Sequence, residues 1–181
     1  VVVELCGLTF RYNDFSKSNI VATALFADGA AAAILNSNNN GGKAITAYGE
    51  YTWSNSLDVM GWDVKDDGLA VVFSKDIPSL VRKKYRPILD DFLNKNKIKF
   101  EDIDNFVCHP GGIKVIEALE DILGVGNGGL QHSRDILKNF GNMSAATVLF
   151  VLEKSLNKNK NGTHLVTSLG PGFTAGFLMV K

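Results

Sequence analysis

Two side chains in this sequence are placed to do chemistry together. His109 closes the short apolar run Phe106-Val-Cys108 and leads into Pro110-Gly-Gly112, while Asn142 stands between Gly141 and the long apolar segment that begins near Ser144. Each puts a hydrogen-bonding side chain where regular structure gives way to a turn, so a rigid scaffold holds it and a small molecule still reaches it. A neutral imidazole and a carboxamide both donate N–H groups. Two such donors, if convergent, suit negative charge that builds on a carbonyl oxygen. The Pro-Gly-Gly turn adds room for a close approach of backbone or ligand. The competing reading of Asn142 is a plain helix N-cap.

Other candidates are weaker on physical grounds. Gly124-Val-Gly-Asn-Gly-Gly129 satisfies the letter of a dinucleotide-binding pattern. That mechanism needs glycines that follow a strand and open a helix, whereas these follow a helical pattern and predict a connecting turn. Cys108 beside His109 suggests a nucleophile and its base, but neighbours on a strand point to opposite faces. Cys108 and Cys6 both lie in apolar runs and read as small buried side chains. His132 and His164 have no supporting constellation, and Gly170-Pro-Gly172 by itself is a turn.

Composition narrows the class. At 181 residues the chain is one domain with enough length for a substantial core. Lys plus Arg equals Asp plus Glu at 19 each, so the basic footprint of a nucleic-acid binder is missing. The Lys/Asn tracts at 94–99 and 157–161 read as solvated helix ends or loops. Two cysteines make neither a disulfide framework nor a zinc pattern, which points to a reducing cytoplasm. No apolar run reaches membrane-spanning length and no signal peptide is visible. Asn161-Gly-Thr163 and Asn142-Met-Ser144 match the glycosylation acceptor pattern, which carries no weight in a cytosolic protein. The chain opens inside an apolar run without a methionine, and is expected to be the later part of a longer polypeptide.

The elements that must position these groups follow from periodicity. Residues 1–6 with 8–10 read as a buried strand. Ser18-Asn19 open a short helix over 20–26, Asp28-Gly29 end it, and the alanine-rich 30–35 form a second, tightly packed strand. Residues 36–42 are a polar loop and 43–53 alternate as a strand. Over 54–67 the pattern leaves loop and short strand open around Met60-Gly-Trp62, and 69–73 are strand. Asp76 predicts an N-cap with Pro78 in the first turn. The helix that follows turns Ile77, Leu80, Val81, Tyr85, Ile88, Leu89, Phe92 and Leu93 inward, with Pro87 as a point of kinking. Next come a strand at 106–108 and a helix over 112–123 with Ile113, Ile116, Ala118, Leu119 and Leu123 inside. A short helix at 133–140 is stopped by Gly141, and the apolar helix 144–156 reads as buried on most sides. Strands 165–169 and 173–180 meet at Gly170-Pro-Gly172. The class is α/β with a mostly buried mixed sheet. The alanine-rich strand and helix 144–156 are expected to leave an apolar face exposed unless another half covers it.

Taken together, six motifs resemble one family. Thr9-Phe-Arg11, Phe26-Ala-Asp-Gly-Ala30, Lys75-Asp-Ile-Pro78, Cys108-His-Pro-Gly-Gly112, Gly141-Asn-Met-Ser-Ala-Ala146 and Leu169-Gly-Pro-Gly172 are similar, in order and spacing, to the C-terminal half of type III polyketide synthases. This is the chalcone and stilbene synthase family, and the look is closer to its bacterial members. The Asp-Gly-Ala and Gly-Asn motifs are shared across thiolase-like condensing enzymes. His-Pro-Gly-Gly discriminates, because ketoacyl-carrier-protein synthases that initiate fatty-acid synthesis usually show His-Gln-Ala-Asn there. The resemblance implies a thiolase-like fold, with residues 1–181 as the C-terminal half of a layered αβαβα architecture that normally forms a homodimer.

It also implies roles. His109 and Asn142 would be two members of a catalytic triad whose third, a cysteine nucleophile, belongs to the N-terminal half and is neither Cys6 nor Cys108. A thiolate takes an acyl group from an acyl-coenzyme A starter, and malonyl-coenzyme A then decarboxylates while the two donors hold its thioester oxygen. His109 would also lower the pKa of the cysteine. No metal or redox cofactor is implied, and without the acyl-carrying half the chain is expected to be inactive. Gly170, Pro171 and Gly172 resemble the loop that shapes the cyclisation pocket. Phe10 matches one of two phenylalanines that gate the pocket in the plant enzymes. Val71 stands in place of the other, which implies a roomier passage and a bulkier starter such as a long fatty acyl group. Two alternatives stay open: a ketoacyl-carrier-protein synthase-like condensing enzyme, against which His-Pro-Gly-Gly argues, and a non-catalytic partner subunit of the same fold. The upstream sequence at the nucleophile motif separates the last from an enzyme.

Overall fold

The computed structural model describes residues 1–37 and 42–181. Residues 38–41, within the polar loop expected at 36–42, lie outside the described residues. In chain order the elements are β1 (Val2–Glu4), a 3-10 turn at Cys6–Thr9, α1 (Lys17–Leu25), β2 (Gly29–Ala31), β3 (Ile45–Thr52), β4 (Met60–Lys65) and β5 (Gly68–Phe73). Then come α2 (Ile77–Lys95), β6 (Asn105–Cys108), α3 (Ile113–Leu123), α4 (Gln131–Phe140), α5 (Ala145–Lys158), β7 (His164–Gly170) and β8 (Thr174–Val180).

Four strands form a mixed sheet in the order β3-β8-β7-β6, antiparallel except for the parallel β6–β7 pair. Period-two alternation divides its side chains between two cores. Cys108, Leu165, Ala175, Phe177 and Met179 face the larger core with α2 and α3, while Val107, Val166 and Val180 face a smaller one with Met143 and α5. Val81, Tyr85 and Leu89 of α2 are fully buried at helical spacing, each large apolar side chain contributing about 1.5–3 kcal/mol. The Tyr85 hydroxyl meets Thr167 Oγ1 at 2.6 Å, and Thr167 Oγ1 donates to the Gly176 carbonyl at 2.9 Å, so burying that phenol leaves no polar group unpaired. Pro87 sits inside α2, and the helix continues through it to Lys95.

Several sequence expectations need correction. The first apolar run is not a buried strand: β1 has three residues, Cys6–Thr9 is a 3-10 turn, and Val1, Leu8 and Phe10 are exposed. Among the described residues β1 pairs with β2, and its half-buried Val2 packs in the smaller core; Val3 on its other face is 62% exposed. The alanine-rich strand stops at Ala31, and Ile34 and Leu35 beyond it are exposed. Ser16, rather than Ser18 or Asn19, caps α1, its Oγ accepting from the Asn19 backbone. Asp76 makes no side-chain cap for α2; instead its own N–H donates to Ser74 Oγ. Ile113 is outward, and the ambiguous stretch around Met60 is β4. α5 is not buried on most sides, because only Ala146, Thr147, Val151 and Ser155 are buried. Beside it the sheet face over β3 and β8 is open, with Tyr48, Glu50, Val148 and Leu178 lining a groove.

Candidate active site

The pairings make β3, β6 and β7 point the same way, so their carboxyl ends share one edge of the sheet. At that edge β3 leads toward the β4–β5 hairpin, β7 turns at Gly170-Pro-Gly172, and β6 delivers His109. α3 starts there four residues after His109. Asn142 stands just before the amino end of α5. Strand ends on a stiff base are where α/β folds build sites; here, against the expectation of two accessible groups, Asn142 is only 6% exposed and His109 is half-buried.

The backbone of Asn142 is clamped as a short bridge to the chain after α1. Its N–H donates to the Leu25 carbonyl at 2.8 Å, and its carbonyl accepts from Ala27 N–H at 2.9 Å. Gly141 turns into this bridge at φ 75°, ψ −166°, a region that only glycine occupies without strain. Gly29 of the Asp-Gly-Ala motif is equally constrained, since a Cβ there would lie 2.8 Å from Met143 Cβ. Side-chain orientation follows from the partners. Asn142 Oδ1 accepts the Ser144 N–H at 2.9 Å, which leaves Nδ2 directed to the Gly111 carbonyl at 3.4 Å. Ser144 is held at φ 51°, an uncommon conformation for a non-glycine residue. Asn142 is therefore not the N-cap of α5, a place held by Ser144; its oxygen accepts the Ser144 N–H just ahead of the helix, and its amide nitrogen faces the His-Pro-Gly-Gly turn.

His109 extends the β6–β7 ladder by donating its N–H to the Thr167 carbonyl at 2.9 Å, and its own carbonyl accepts from Gly111 N–H at 3.1 Å. The Cys108 carbonyl, one residue earlier, accepts from the buried Ser133 hydroxyl at 2.6 Å. The ring is half-buried, and burial pushes its pKa down to about 4, so the imidazole is neutral at neutral pH. The folded value lies below the unfolded one of about 6.5. Between the two the unfolded chain binds more protons, so this group's contribution to stability shrinks as pH falls from about 6.5 toward about 4. A histidine NMR titration, assigned with His109→Gln, should show a ring still neutral where an exposed imidazole has already titrated.

Residues 50–181 match the family model for chalcone and stilbene synthases, C-terminal domain. The chain belongs to this family. A protein of Bacillus subtilis (strain 168) named "Putative chalcone synthase" is 40% identical over 190 residues, covering 99% of this chain and 52% of that protein. The 1,3,6,8-tetrahydroxynaphthalene synthase of Streptomyces peucetius subsp. caesius is 35% identical over 187 residues, 99% of this chain and 49% of that one. Among solved structures, the 1,3,6,8-tetrahydroxynaphthalene synthase of Streptomyces coelicolor A3(2), a bacterial type III polyketide synthase, superposes with a TM-score of 0.90 at 25% identity, covering 98% of this chain and 52% of that one. The chain thus spans about half the length of the curated relatives it matches. Its α/β architecture with a mixed sheet is that of the family's thiolase-like fold.

The remaining family motifs fall around the same edge. Gly170, Pro171 and Gly172 form the β7–β8 turn, pinned from behind by Ser56, whose Oγ lies 3.0 Å from the Gly172 carbonyl and accepts Phe173 N–H at 2.7 Å. Val71 lies half-buried on β5 opposite Trp62. The pairs Met60–Phe73, Trp62–Val71 and Val64–Leu69 put six apolar side chains on one face of the hairpin. Phe26, bridged to Asn142, packs its ring against Phe73 at 5.6 Å and Trp62 at 6.1 Å. Phe10 is 57% exposed, just beyond the 3-10 turn that packs on β5.

Among the discounted candidates, Cys108, His164 and the glycine loop lie in structural surroundings. Cys108 is fully buried, and burial, then the charge of Glu120, pushes its thiol far up; Cys6 is raised by burial and by Glu4 and Asp28. The His164 ring lies between Ser155 Oγ and the Asn159 carbonyl, each at 3.0 Å. The glycine loop after α3 wraps an anion that the protein itself supplies. Glu120 accepts Gly128 N–H at 3.0 Å, Leu130 N–H at 3.1 Å and Arg134 Nε at 3.0 Å. Sequence reasoning missed both this network and Ser133, because fourteen residues separate Glu120 from Arg134 with no local spacing to mark the pair. Arg134 holds the Glu120 carboxyl below its ordinary value against the opposing effect of burial. The stability it brings is present above the unfolded carboxylate value and fades as pH falls through the lower folded one. Glu120→Ala should cost roughly 1–3 kcal/mol in chemical denaturation, since the buried Leu130 amide and the half-buried Gly128 amide lose their acceptor.

Proposed function

We propose that this chain is the carboxyl-terminal half of a type III polyketide synthase, with His109 and Asn142 as its hydrogen-bond donors. The observation that carries the reading is the Asn142 carboxamide, oxygen fixed by Ser144 and nitrogen turned toward the turn that carries His109. A cysteine in the other half holds the starter acyl group as a thioester. Malonyl-coenzyme A loses its carboxylate as CO2, and the electron pair of the broken C–C bond moves into the thioester, building charge on its oxygen. Nε2–H of His109 and Nδ2–H of Asn142 donate to that oxygen. A neutral imidazole donates without supplying a proton, so the enolate is stabilised and not quenched. The enolate carbon attacks the cysteinyl thioester, the C–S bond breaks, and the thiolate leaves with the chain two carbons longer on coenzyme A. Repetition and cyclisation follow in the pocket shaped by Gly170, Pro171 and Gly172.

The whole enzyme is a homodimer in the cytoplasm. Apolar side chains exposed here, among them Val1, Leu8, Phe15 and Tyr48, offer surface that a covering half would bury. Substrates are an acyl-coenzyme A and malonyl-coenzyme A, with no metal or redox cofactor. Val71 in place of a bulkier gate favours a large starter such as a long fatty acyl group. Incubating the full-length protein with malonyl-coenzyme A and a panel of acyl-coenzyme A thioesters tests this. Polyketide products from long acyl starters are expected. A strict preference for short aromatic starters would remove the roomy passage, and absence of any condensation product would remove the reading itself.

A further inference from the structure

One ion pair joins the segment that follows Phe10 to the hairpin that carries Val71. Arg11 follows Phe10 directly, and its Nη2 grips both carboxylate oxygens of Asp67 at 2.7 and 2.9 Å across 56 residues of sequence. Asp67 lies in the two-residue turn between β4 and β5, at the tip of the hairpin that carries Val71. Among the described residues, the hydrogen bonds from the first sixteen residues to that hairpin all come from this guanidinium.

The arginine is anchored at its other end. Nη1 meets Asp14 Oδ2 at 2.7 Å, and the Arg11 carbonyl accepts from Asn19 Nδ2 at 3.0 Å, which fixes residue 11 to the start of α1. Its side chain is 14% exposed, and Nε is buried without a partner. The guanidinium is thus held between two carboxylates, Asp14 and Asp67. Asp67 is 60% exposed and packs in no core, so its position is set by the pair and by the hairpin backbone alone.

We propose that Arg11 and Asp67 form a strut that fixes the opening between Phe10 and the Trp62–Val71 face of the hairpin, and so sets the length of acyl starter the enzyme accepts. This rests on the polyketide reading above. The hairpin is packed toward its base, where Phe73 meets Phe26 edge-on and Trp62 lies tilted against it, and open at its tip, where Val64 is 79% exposed. The strut draws the tip toward the Phe10 segment. Without it the tip relaxes outward and the apolar face of Trp62, Val71, Leu69 and Val64 opens to a longer chain. Asp67 is a positioning residue, acting through the walls and not on the reacting atoms.

The test compares full-length wild type with Asp67→Asn and Asp67→Glu. Asp67→Asn keeps shape and removes the charge; Asp67→Glu keeps the charge. Two readouts are taken: kcat/KM for a long-chain relative to a short-chain acyl-coenzyme A, and amide hydrogen exchange across 60–73. In Asp67→Asn the long-to-short ratio should rise about threefold, the scale of a partly exposed ion pair, with hairpin exchange faster. Asp67→Glu should restore both toward wild type. An unchanged or lowered ratio, with wild type active, overturns the proposal and leaves the polyketide reading intact. Wild type without condensation activity removes that reading and this proposal's selectivity with it, while unchanged exchange removes the strut whatever the reaction.

Discussion

Asn142→Asp in the full-length synthase should lower the rate of malonyl-coenzyme A decarboxylation about 10²–10³-fold, the usual effect of losing one donor to a developing oxyanion. The substitution isolates the donor. An aspartate retains an oxygen where Oδ1 now accepts Ser144 N–H at 2.9 Å, so the start of α5 keeps its brace. What changes is Nδ2, replaced by an acceptor that faces the Gly111 carbonyl. Asn142→Ala should lose a similar factor in rate and, in addition, roughly 1 kcal/mol of stability as the Ser144 amide loses its partner. Measuring CO2 release beside urea denaturation separates the two effects. Wild-type turnover in Asn142→Asp would leave the carboxamide with a bracing role only.

The second large effect is expected at the preceding residue. Gly141→Ala should destabilise the protein by about 2–4 kcal/mol, from an unfavourable backbone region together with overpacking. At φ 75°, ψ −166°, an added Cβ would stand 3.0 Å from the Leu25 carbonyl and 3.0 Å from Ala27 Cβ. Leu25 is the acceptor for Asn142 N–H, so relief of the clash moves the bridge that aims the carboxamide, and activity falls with stability. Gly124→Ala is the control. That glycine has φ 68° and ψ 23° with open space around its Cβ direction, and the substitution should cost only about 1–2 kcal/mol with no change in rate. Equal losses at the two positions would mean that the contact with the 25–27 segment carries no weight.

The most legible parts of the fold were those governed by local periodicity. The inward face of α2 was readable because Val81, Tyr85, Leu89 and Phe92 recur on one side of a helix that packs on a sheet present in the same chain. The β7–β8 hairpin was readable from alternation about Gly170-Pro-Gly172. The same logic failed at residues 1–10 and 30–35, where apolar runs suggested buried strands. Hydrophobicity reports that a side chain is destined for a partner; it does not say that the partner lies in this polypeptide. For Val3, Leu8, Ile34 and Leu35 it does not, among the described residues.

The candidate site divides along the same line. Residue type and the turn chemistry around them were enough to single out His109 and Asn142, because Gly141 and Pro110-Gly-Gly112 are local devices written in consecutive residues. Sequence alone also excluded Cys108 as a partner for His109, since strand geometry sends neighbours to opposite faces. Tertiary structure alone decided that Asn142 Nδ2 faces the turn of His109, that Ser133 braces the Cys108 carbonyl, and that Asp67 reaches Arg11. These contacts span 25 to 56 residues. A hydrogen bond is fixed by ångström-scale placement of two groups, and across such separations that placement comes from how sheets and helices pack, which no run of neighbouring residues encodes.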